Sequence, residues 1–212
     1  MKDRRAAIAG MLLRLRAIGL PHRLMEAFEQ VPRQNFVPVM HLFESYERGQ
    51  LPIECGQTMT SADQVARTLR ELDVKENHRV LEIGSGSGYQ TAVLSRMAAK
   101  VTSLERFRTL VDKAMIRLSA LEFANATVIL ADGQEGIPGQ VFDRIVSNCA
   151  FEDLPRAFID QIASGGVMIA PIGPGDSVQM LRKFVKIGSR FEMSDLFGVR
   201  MQPFIPGISK AI

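Results

Sequence analysis

The chain has few of the residues on which disulfide-rich, metal-binding and membrane-spanning proteins depend. Its 212 residues include only two cysteines, Cys55 and Cys149, and these show no metal-ligand spacing. Two isolated cysteines fit a reducing compartment better than a disulfide framework. No stretch approaches the roughly 18 apolar residues that a membrane-spanning helix needs. We therefore predict a cytoplasmic protein with no bound metal and no membrane segment.

The surplus of positive charge is concentrated near the N-terminus. The formal net charge is +3 at pH 7. The first 25 residues contain one acidic residue, Asp3, and six basic ones, namely Lys2, Arg4, Arg5, Arg14, Arg16 and Arg23. A basic helix can bind nucleic acid or acidic peptides, but more often it is a solvated helix face. No stripe of basic residues interleaved with aromatics occurs elsewhere, so nucleic acid is a runner-up and not the favoured partner. The apolar run at 6–13 is too short for a signal peptide, and no small-residue cleavage site follows it.

Helical periodicity dominates the first third of the chain. Apolar residues at helical spacing run from Leu12 to Val31, and Pro32 ends the pattern. Prolines then punctuate an irregular stretch through Gly56. This part of the chain predicts an N-terminal helical extension.

Strands and helices alternate in the rest of the chain. The sequence predicts helices at 62–72, 89–98, 107–121 and 154–163, and strands at 79–83, 101–105, 127–131, 142–147 and 167–171. It also predicts a Ser-Gly-Gly turn at 164–166 and a closing pair of strands at 178–185 and 191–200. Such alternation is typical of βαβ units. The predicted fold class is α/β, with a central, mostly parallel sheet and helices on both faces.

A glycine-rich loop follows the first of these strands. Gly84, Gly86 and Gly88 alternate with Ser85 and Ser87, ahead of the helix predicted from residue 89. Glycine adopts positive φ and has no Cβ, so its backbone can turn sharply and approach a ligand closely. The helix start beyond the loop offers free N–H groups to a carboxylate or phosphate. A dinucleotide loop needs its third glycine one residue later, where this chain has a tyrosine.

Acidic residues accompany the loop. With Glu82 two residues ahead of Gly84, the pattern E-x-G-x-G-x-G resembles the S-adenosylmethionine (AdoMet) loop of class I methyltransferases. Glu105 ends the next predicted strand about 20 residues after Gly84, where a carboxylate can bind ribose hydroxyls. Asp132 and Gly133 end the third strand, at a position suited to reading an adenine edge. The acids together predict a nucleoside-like cofactor, with AdoMet favoured over a nicotinamide.

Three segments resemble the protein-L-isoaspartate O-methyltransferase family. They are VPRQNFVP at 31–38, similar to the family's VPR-x-x-FVP; LPIECGQTMT at 51–60, similar to LPI-x-x-GQT-I-S; and LEIGSGSGY at 81–89, similar to LEIGTGSGY. The chain is thereby identified as a divergent member, with a resemblance from about residue 20 to about residue 205. The resemblance implies a Rossmann-like class I methyltransferase domain over residues 1–212. Residues 1–60 would form a helical cap and substrate-side segment, and 61–212 the Rossmann-like core.

The activity that this resemblance implies is repair of damaged protein. The family uses AdoMet to methylate the free carboxylate of L-isoaspartyl or D-aspartyl residues, and the ester closes to a succinimide that partly reopens to aspartate. A carboxylate with a pKa near ~4 is already ionised at neutral pH and needs no general base. The chain shows no convincing acid/base dyad, because His22, His41 and His78 are scattered outside the strand ends. Cys55 fits a packed residue better than a nucleophile.

The resemblance also implies roles for individual residues. Thr60 matches the family's serine that donates to the substrate carboxylate, and Ser61 is a possible substitute. The positions that carry over to the cofactor are Glu82, Gly84, Ser85, Gly86, Ser87, Gly88, Glu105, Asp132 and Gly133. The predicted substrate-binding residues are Gln57, Thr58, Thr60, Asn148 and Arg200.

Several departures from the family pattern lie on the substrate side. Asp63 would repel a carboxylate substrate unless it is paired, and we favour its being the cap of the helix at 62–72. Asn148 and Phe151 bring polarity and bulk to the expected substrate mouth, and Met201 and Gln202 replace aromatic and aliphatic residues. Another acceptor, either a small molecule or nucleic acid, and an AdoMet-binding protein without activity therefore stay open, as does the oligomeric state.

Overall fold

The computed structural model describes residues 4–210, which form a helical N-terminal region packed against a seven-stranded sheet. The N-terminal region contains α1 (Arg4–Ala17), α2 (His22–Gln30), single 3₁₀ turns at Arg33–Phe36, Val39–His41 and Glu54–Gly56, and the short antiparallel strands β1 (Leu51–Pro52) and β2 (Thr58–Met59). The predicted helical run divides in two because Gly19 has a φ of +75° and Pro21 precedes α2.

The alternation of strands and helices predicted for the rest of the chain is confirmed. The elements are α3 (Ala62–Leu72), β3 (Arg79–Ile83), α4 (Tyr89–Ser95), β4 (Lys100–Glu105), α5 (Arg108–Ala120), β5 (Ala126–Leu130), β6 (Phe142–Ser147), α6 (Ala157–Gln161), β7 (Ile162–Ile172), β8 (Gln179–Ile187) and β9 (Arg190–Val199). No helix within residues 4–210 is long and apolar enough to cross a membrane.

The strand order creates a crevice at the carboxyl ends of the central strands. The order is β5-β4-β3-β6-β7-β8-β9, with β3 to β7 parallel and with β8 and β9 joined antiparallel. The chain runs outward from β3 through β4 to β5 and then returns to the other side of β3 as β6. Ligands of open α/β sheets bind at such a reversal, beyond the carboxyl ends of the strands.

Alternate residues of the strands enter two different cores, as the period of two requires. Val80 belongs to the larger core, which α1 to α5 cover. Leu81 and Ile83 belong to the smaller core on the opposite face, which Phe158 of α6 helps to close. Helices therefore lie on both faces as predicted, but five of the six lie on one of them.

The predicted turn at 164–166 is wrong, because the segment is a bulge inside β7. Phe142 pairs with Ile162 and Arg144 pairs with Val167, so one residue of β6 faces four of β7. Gly165, with a φ of +72°, supplies the left-handed backbone that this bulge requires. Because β7 already begins at residue 162, α6 is shorter than the predicted helix at 154–163.

Candidate active site

A pocket of about 1000 Å³, open to solvent, lies at the carboxyl ends of β3 to β6. The glycine loop forms one side, through Gly84, Ser85, Gly86 and Ser87. All three loop glycines have positive φ, which only glycine adopts readily. A Cβ at residue 84 would lie 2.9 Å from Cys149 Sγ, so the loop also needs glycine for close packing.

Gly88 turns away from the pocket and packs against a helix. A Cβ at this position would lie 3.0 Å from the Cβ of Ala114 in α5. Gly88, with a φ of +86°, also directly precedes α4. Its role in the structure is therefore to bring the loop and α5 together, and the structure does not place it among the residues that line the pocket.

Glu105 lies at the end of β4 and faces the pocket. Its Oε2 accepts a hydrogen bond from Gly86 N at 2.9 Å, and its Oε1 accepts from Arg106 N and Phe107 N. Burial raises the pKa of Glu105, and these backbone donors oppose the rise. A carboxylate offers about four acceptor positions, so these three bonds leave about one position, on Oε2, for a ribose hydroxyl.

Of the two cofactor residues predicted near the end of β5, Gly133 lines the pocket and Asp132 does not. Asp132 Oδ1 accepts from Gln134 N at 3.0 Å, and its Oδ2 accepts from Gly207 N at 2.7 Å. Asp132 therefore holds the C-terminal segment in place. A Cβ at residue 133 would lie 2.6 Å from Ile83 Cγ2, so only glycine fits the space there.

The C-terminal segment forms a wall of the pocket that the sequence did not predict. Residues 202–205 line the pocket, and Ala150 exchanges two backbone hydrogen bonds with Gln202 and Phe204. Further along, Ser209 N donates to Arg106 O, while Arg106 Nε donates to Gly207 O. The only signal in the sequence was that Met201 and Gln202 stand where the family has aromatic and aliphatic residues on the substrate side.

Glu82 lies behind the pocket wall, where it is fully buried. Its Oε1 accepts hydrogen bonds from Gln90 Nε2 at 3.0 Å and Asn148 Nδ2 at 3.1 Å, and its Oε2 accepts one from Thr91 Oγ1. Burial raises the pKa of Glu82 to about 7, while these hydrogen bonds and the nearby Ser103 hydroxyl lower it. The predicted direct contact with the cofactor is therefore not what the structure shows. Gln90 and Asn148, which Glu82 holds, line the pocket instead.

The predicted substrate segment lines the same pocket as the glycine loop. Gln57, Thr58 and Thr60 all contribute to its wall. Ser61, the possible substitute for Thr60, is instead the N-cap of α3, and its Oγ accepts from Gln64 N at 3.2 Å. Arg200 is exposed and outside the wall, where its backbone oxygen accepts from Gln50 Nε2.

Arg33 binds the backbone of this segment from the protein interior. The sequence did not predict it as a site residue, although it lies in the VPR motif. It is fully buried, and its Nη2 donates to Thr60 O at 2.7 Å while its Nε donates to Ser45 O at 2.8 Å. Its guanidinium also lies 4.6 Å from the ring centre of Tyr89, at the end of the glycine loop. One side chain thus joins the cap, the substrate segment and the cofactor loop.

Comparisons with known proteins assign the chain to a family. A sequence profile described as protein-L-isoaspartate(D-aspartate) O-methyltransferase (PCMT) matches residues 8–210. The chain belongs to the PCMT family. A protein-L-isoaspartate O-methyltransferase of Azorhizobium caulinodans is 44% identical over 207 residues, covering 97% of this chain and 95% of that protein. The corresponding protein of Xanthobacter autotrophicus is 39% identical over 212 residues, covering 99% and 95%.

Solved structures of the PCMT family confirm the predicted fold. A protein-L-isoaspartate O-methyltransferase matches with a TM-score of 0.87 and 24% identity, over 95% of this chain and 67% of that one. A Plasmodium falciparum protein assigned to the same family matches with a TM-score of 0.80 and 23% identity, over 92% and 97%. That protein was crystallised in complex with S-adenosyl-L-homocysteine.

Two residues that depart from the PCMT pattern have structural roles that differ from those predicted. Asp63 is not the cap of α3, because Ser61 is; it lies in the first turn, and its Oδ1 is 3.4 Å from Arg14 Nε. Phe151 is buried in the smaller core and stacks on Phe204 at 4.9 Å, so it does not narrow the pocket mouth. Neither residue therefore stands in the way of a carboxylate substrate.

Basic side chains near the N-terminus contact other parts of the protein, although the sequence predicts a solvated helix face. Besides the contact of Arg14 with Asp63, Arg16 pairs with Glu29, and Arg23 of α2 donates to Met97 O. Arg14 Nη2 also donates to the backbone oxygen of Tyr46. Lys2 lies outside the described residues. These basic side chains serve contacts within the protein.

No nucleophile or acid/base pair emerges from the described residues that line the PCMT pocket. None of the three histidines lies there, and Cys55 packs against the larger core with a raised thiol pKa. Burial raises the pKa of the Cys149 thiol to about 12. The wall has instead a buried hydroxyl without a partner, Ser85 Oγ, beside two glycines and the Glu105 carboxylate. The Ser85 hydroxyl can donate to a carboxylate, Glu105 can accept from a ribose, and the glycines let the backbone approach the ligand closely. This set fits AdoMet, which has both a carboxylate and a ribose.

Proposed function

We propose that the protein transfers a methyl group from AdoMet to the free carboxylate of L-isoaspartyl, and also of D-aspartyl, residues in damaged proteins. The ester that forms would close to a succinimide and so begin repair. The observation that carries the proposal is that the substrate segment at 57–60 and the glycine loop at 84–87 line one pocket. Membership of the PCMT family supports the same activity.

The wall residues suit this transfer by holding two reactants in position. AdoMet supplies a methyl group on a sulfonium, which an ionised carboxylate displaces without a general base. The chain then has to orient the carboxylate and exclude water, which is catalysis by proximity. The absence of an acid/base pair among the described pocket residues agrees with this requirement.

Thr60 is the residue that we propose to hold the substrate carboxylate. Its backbone oxygen is fixed by Arg33, and its hydroxyl makes no hydrogen bond to any described residue, so the hydroxyl is free to donate. The Arg33 guanidinium also places a buried positive charge next to the segment that would bind the anion. In a low-dielectric interior such a charge is weakly screened.

The test is methyl transfer from labelled AdoMet to one peptide in matched L-isoaspartyl and L-aspartyl forms. Product is measured as methanol released by mild base. We expect labelling of the isoaspartyl form alone. Labelling of neither form, with AdoMet still bound, would contradict the substrate assignment and favour another acceptor or a non-catalytic role.

Variants of Thr60 test the residue itself. We expect Thr60→Ala to lower kcat/KM for the isoaspartyl peptide by about 10-fold or more, because a hydrogen bond to a charged group contributes ~1.5–3 kcal/mol. Thr60→Ser keeps the hydroxyl and is the matched control, with activity near that of the unmodified protein. AdoMet affinity, measured by calorimetry, should be nearly the same in all three proteins. Unchanged turnover in Thr60→Ala would remove Thr60 from the site.

The compartment follows from the same proposal. We propose that the enzyme works in the cytoplasm, where AdoMet is made, and that isoaspartyl-containing proteins are its partners. The two unpaired cysteines agree with a reducing compartment. Cell fractionation checks the location, and recovery of the protein outside the cytoplasmic fraction would contradict it.

A further inference from the structure

Asn148 lies beside the glycine loop, directly after β6. Its backbone N donates to Ile83 O at 2.9 Å, and its Cβ would lie 3.6 Å from a Cβ added at Gly84. The side chain lines the pocket. The sequence predicts that Asn148 binds the substrate, but its hydrogen bonds indicate a different partner.

The amide of Asn148 can face only one way. Its Nδ2 lies 3.0 Å from Gly84 O and 3.1 Å from Glu82 Oε1. A backbone carbonyl only accepts hydrogen bonds, so the amide must present its NH₂ group to Gly84. The reversed amide would place its oxygen against these two acceptors and leave them unpaired, which is costly for buried groups.

The fixed amide leaves one group for a ligand, the carbonyl oxygen. Asn148 is half-buried, and its Oδ1 accepts no hydrogen bond from any described residue. This oxygen is not one of the buried side-chain atoms that lack a partner, so a ligand can reach it. A carbonyl oxygen attracts a donor, and it offers nothing to a carboxylate, which is itself an acceptor. Asn148 is therefore unsuited to hold the substrate carboxylate, and it is suited to an N–H or O–H group of a ligand.

The order of the strands indicates which donor it meets. Gly133 follows β5, Glu105 ends β4 and Asn148 follows β6, and these strands lie in the order β5-β4-β3-β6. With adenine near Gly133 and ribose at Glu105, the methionyl part of the cofactor reaches the ends of β3 and β6. At neutral pH the one hydrogen-bond donor of that part is its α-ammonium group. We infer that Asn148 Oδ1 binds the α-ammonium group of AdoMet, an inference that rests on the proposed AdoMet-dependent function.

Glu82 is then the residue that positions Asn148. It takes one N–H of the Asn148 amide, and Gly84 O takes the other, so the amide cannot rotate. The Glu82 carboxyl oxygen on the NH₂ side also polarises the amide, and such chains of hydrogen bonds strengthen one another. The buried acid of the E-x-G-x-G-x-G pattern thus acts on the cofactor through a neighbouring side chain.

The test compares two ligands on two proteins by isothermal titration calorimetry, with no methyl acceptor present. The ligands are S-adenosylhomocysteine and its analogue that lacks the α-amino group. Removing the amino group should weaken binding to the unmodified protein by about 10-fold or more, as expected for a charged hydrogen bond. In Asn148→Ala the same removal should weaken binding by less than about 3-fold, within the usual additivity error.

Thr91→Val is the control variant, because it removes a hydrogen bond to Glu82 without changing a residue that lines the pocket. Thr91 donates to Glu82 from the buried side and does not line the pocket, so this variant should keep the full difference between the two ligands. Ligand-induced shifts of the melting temperature give a second readout, and Asn148→Ser gives a second variant if the alanine protein does not fold.

Three results would overturn the inference. The first is an undiminished difference between the ligands in both Asn148 variants. The second is a raised KM for the isoaspartyl peptide in Asn148→Ala together with an undiminished ligand difference, which would restore the substrate role. The third is no binding of S-adenosylhomocysteine to the unmodified protein. Binding of that ligand without transfer to any isoaspartyl peptide would contradict the proposed substrate alone.

Discussion

The buried Glu82 should make the folded protein less stable as the pH rises from acid to neutral. Its pKa is about 7 in the folded protein, against an ordinary value of 4.5. Between these values the folded protein holds a proton that the unfolded chain has released, so the free energy of unfolding falls as pH increases. Below about 4.5 both states are protonated, and above about 7 both are ionised, so the contribution of Glu82 is then constant.

The size of the effect follows from the interval between the two values. The interval is about 2.5 pH units, and each unit corresponds to about 1.4 kcal/mol, so Glu82 should lower the free energy of unfolding by about 3 kcal/mol. Solvent screening does not reduce this figure, because the side chain is fully buried.

Glu82→Gln removes the ionisation and can keep the hydrogen bonds. The new amide oxygen can accept from Gln90 Nε2 and Asn148 Nδ2, and the new NH₂ group can donate to Thr91 Oγ1, whose hydroxyl can turn to accept. The shape of the side chain is nearly unchanged. The variant should therefore fold and respond less to pH.

The measurement is urea unfolding of the ligand-free protein at a series of pH values from about 4.5 to 8. The difference in unfolding free energy between Glu82→Gln and the unmodified protein should grow by about 3 kcal/mol in favour of the variant. Glu152→Gln, at an exposed position, is the control and should give a curve parallel to that of the unmodified protein. A Glu82→Gln difference that changes by less than about 1 kcal/mol would refute the reasoning.

Three further substitutions test the architecture of the site. Gly88→Ala should lower the free energy of unfolding by about 1–3 kcal/mol, measured in urea, because the new Cβ meets Ala114 at 3.0 Å and a φ of +86° is strained. Ser61→Ala should lower it by about 1 kcal/mol through loss of the α3 cap, with kcat retained; a large loss of kcat would instead support the catalytic substitute role. Arg33→Lys should lower kcat/KM for the isoaspartyl peptide by about 10-fold while AdoMet affinity changes less, because lysine cannot hold Thr60 O and Ser45 O at once; an equal loss of both would place Arg33 in cofactor binding.

The fold could be predicted from the sequence where local pattern determines the structure. The helix Ala62–Leu72 and the strand Arg79–Ile83 agree with the prediction residue for residue. An apolar stripe at helical spacing determines the first, and a short, mainly apolar segment that ends at the glycine loop determines the second. The bulge at 164–166 could not be predicted in this way. The same three residues suit a turn, and only the pairing of β7 with β6 shows that the strand continues through them.

In the candidate site too, residues in continuous motifs could be predicted from the sequence, and contacts between distant segments could not. The residues that line the pocket from the loop and from segment 57–60 come from motifs that are continuous in the sequence. The direction of the Asn148 amide, by contrast, depends on Glu82 and Gly84, which are more than 60 residues away in the chain. The position of Arg33 under Thr60 likewise appears only when the cap packs on the core. Contacts between distant segments carry no signature in one sequence.

The hydrogen bonds that anchor residues 207 and 209 have a practical consequence for how the protein is handled. Gly207 and Ser209 are bonded to Asp132 and Arg106 at the ends of β5 and β4, and residues 202–205 form the pocket wall. Only three residues separate Ser209, the last residue that forms one of these bonds, from an affinity tag fused after Ile212. A tag at the N-terminus, ahead of α1, leaves that wall untouched and is the better choice for binding measurements.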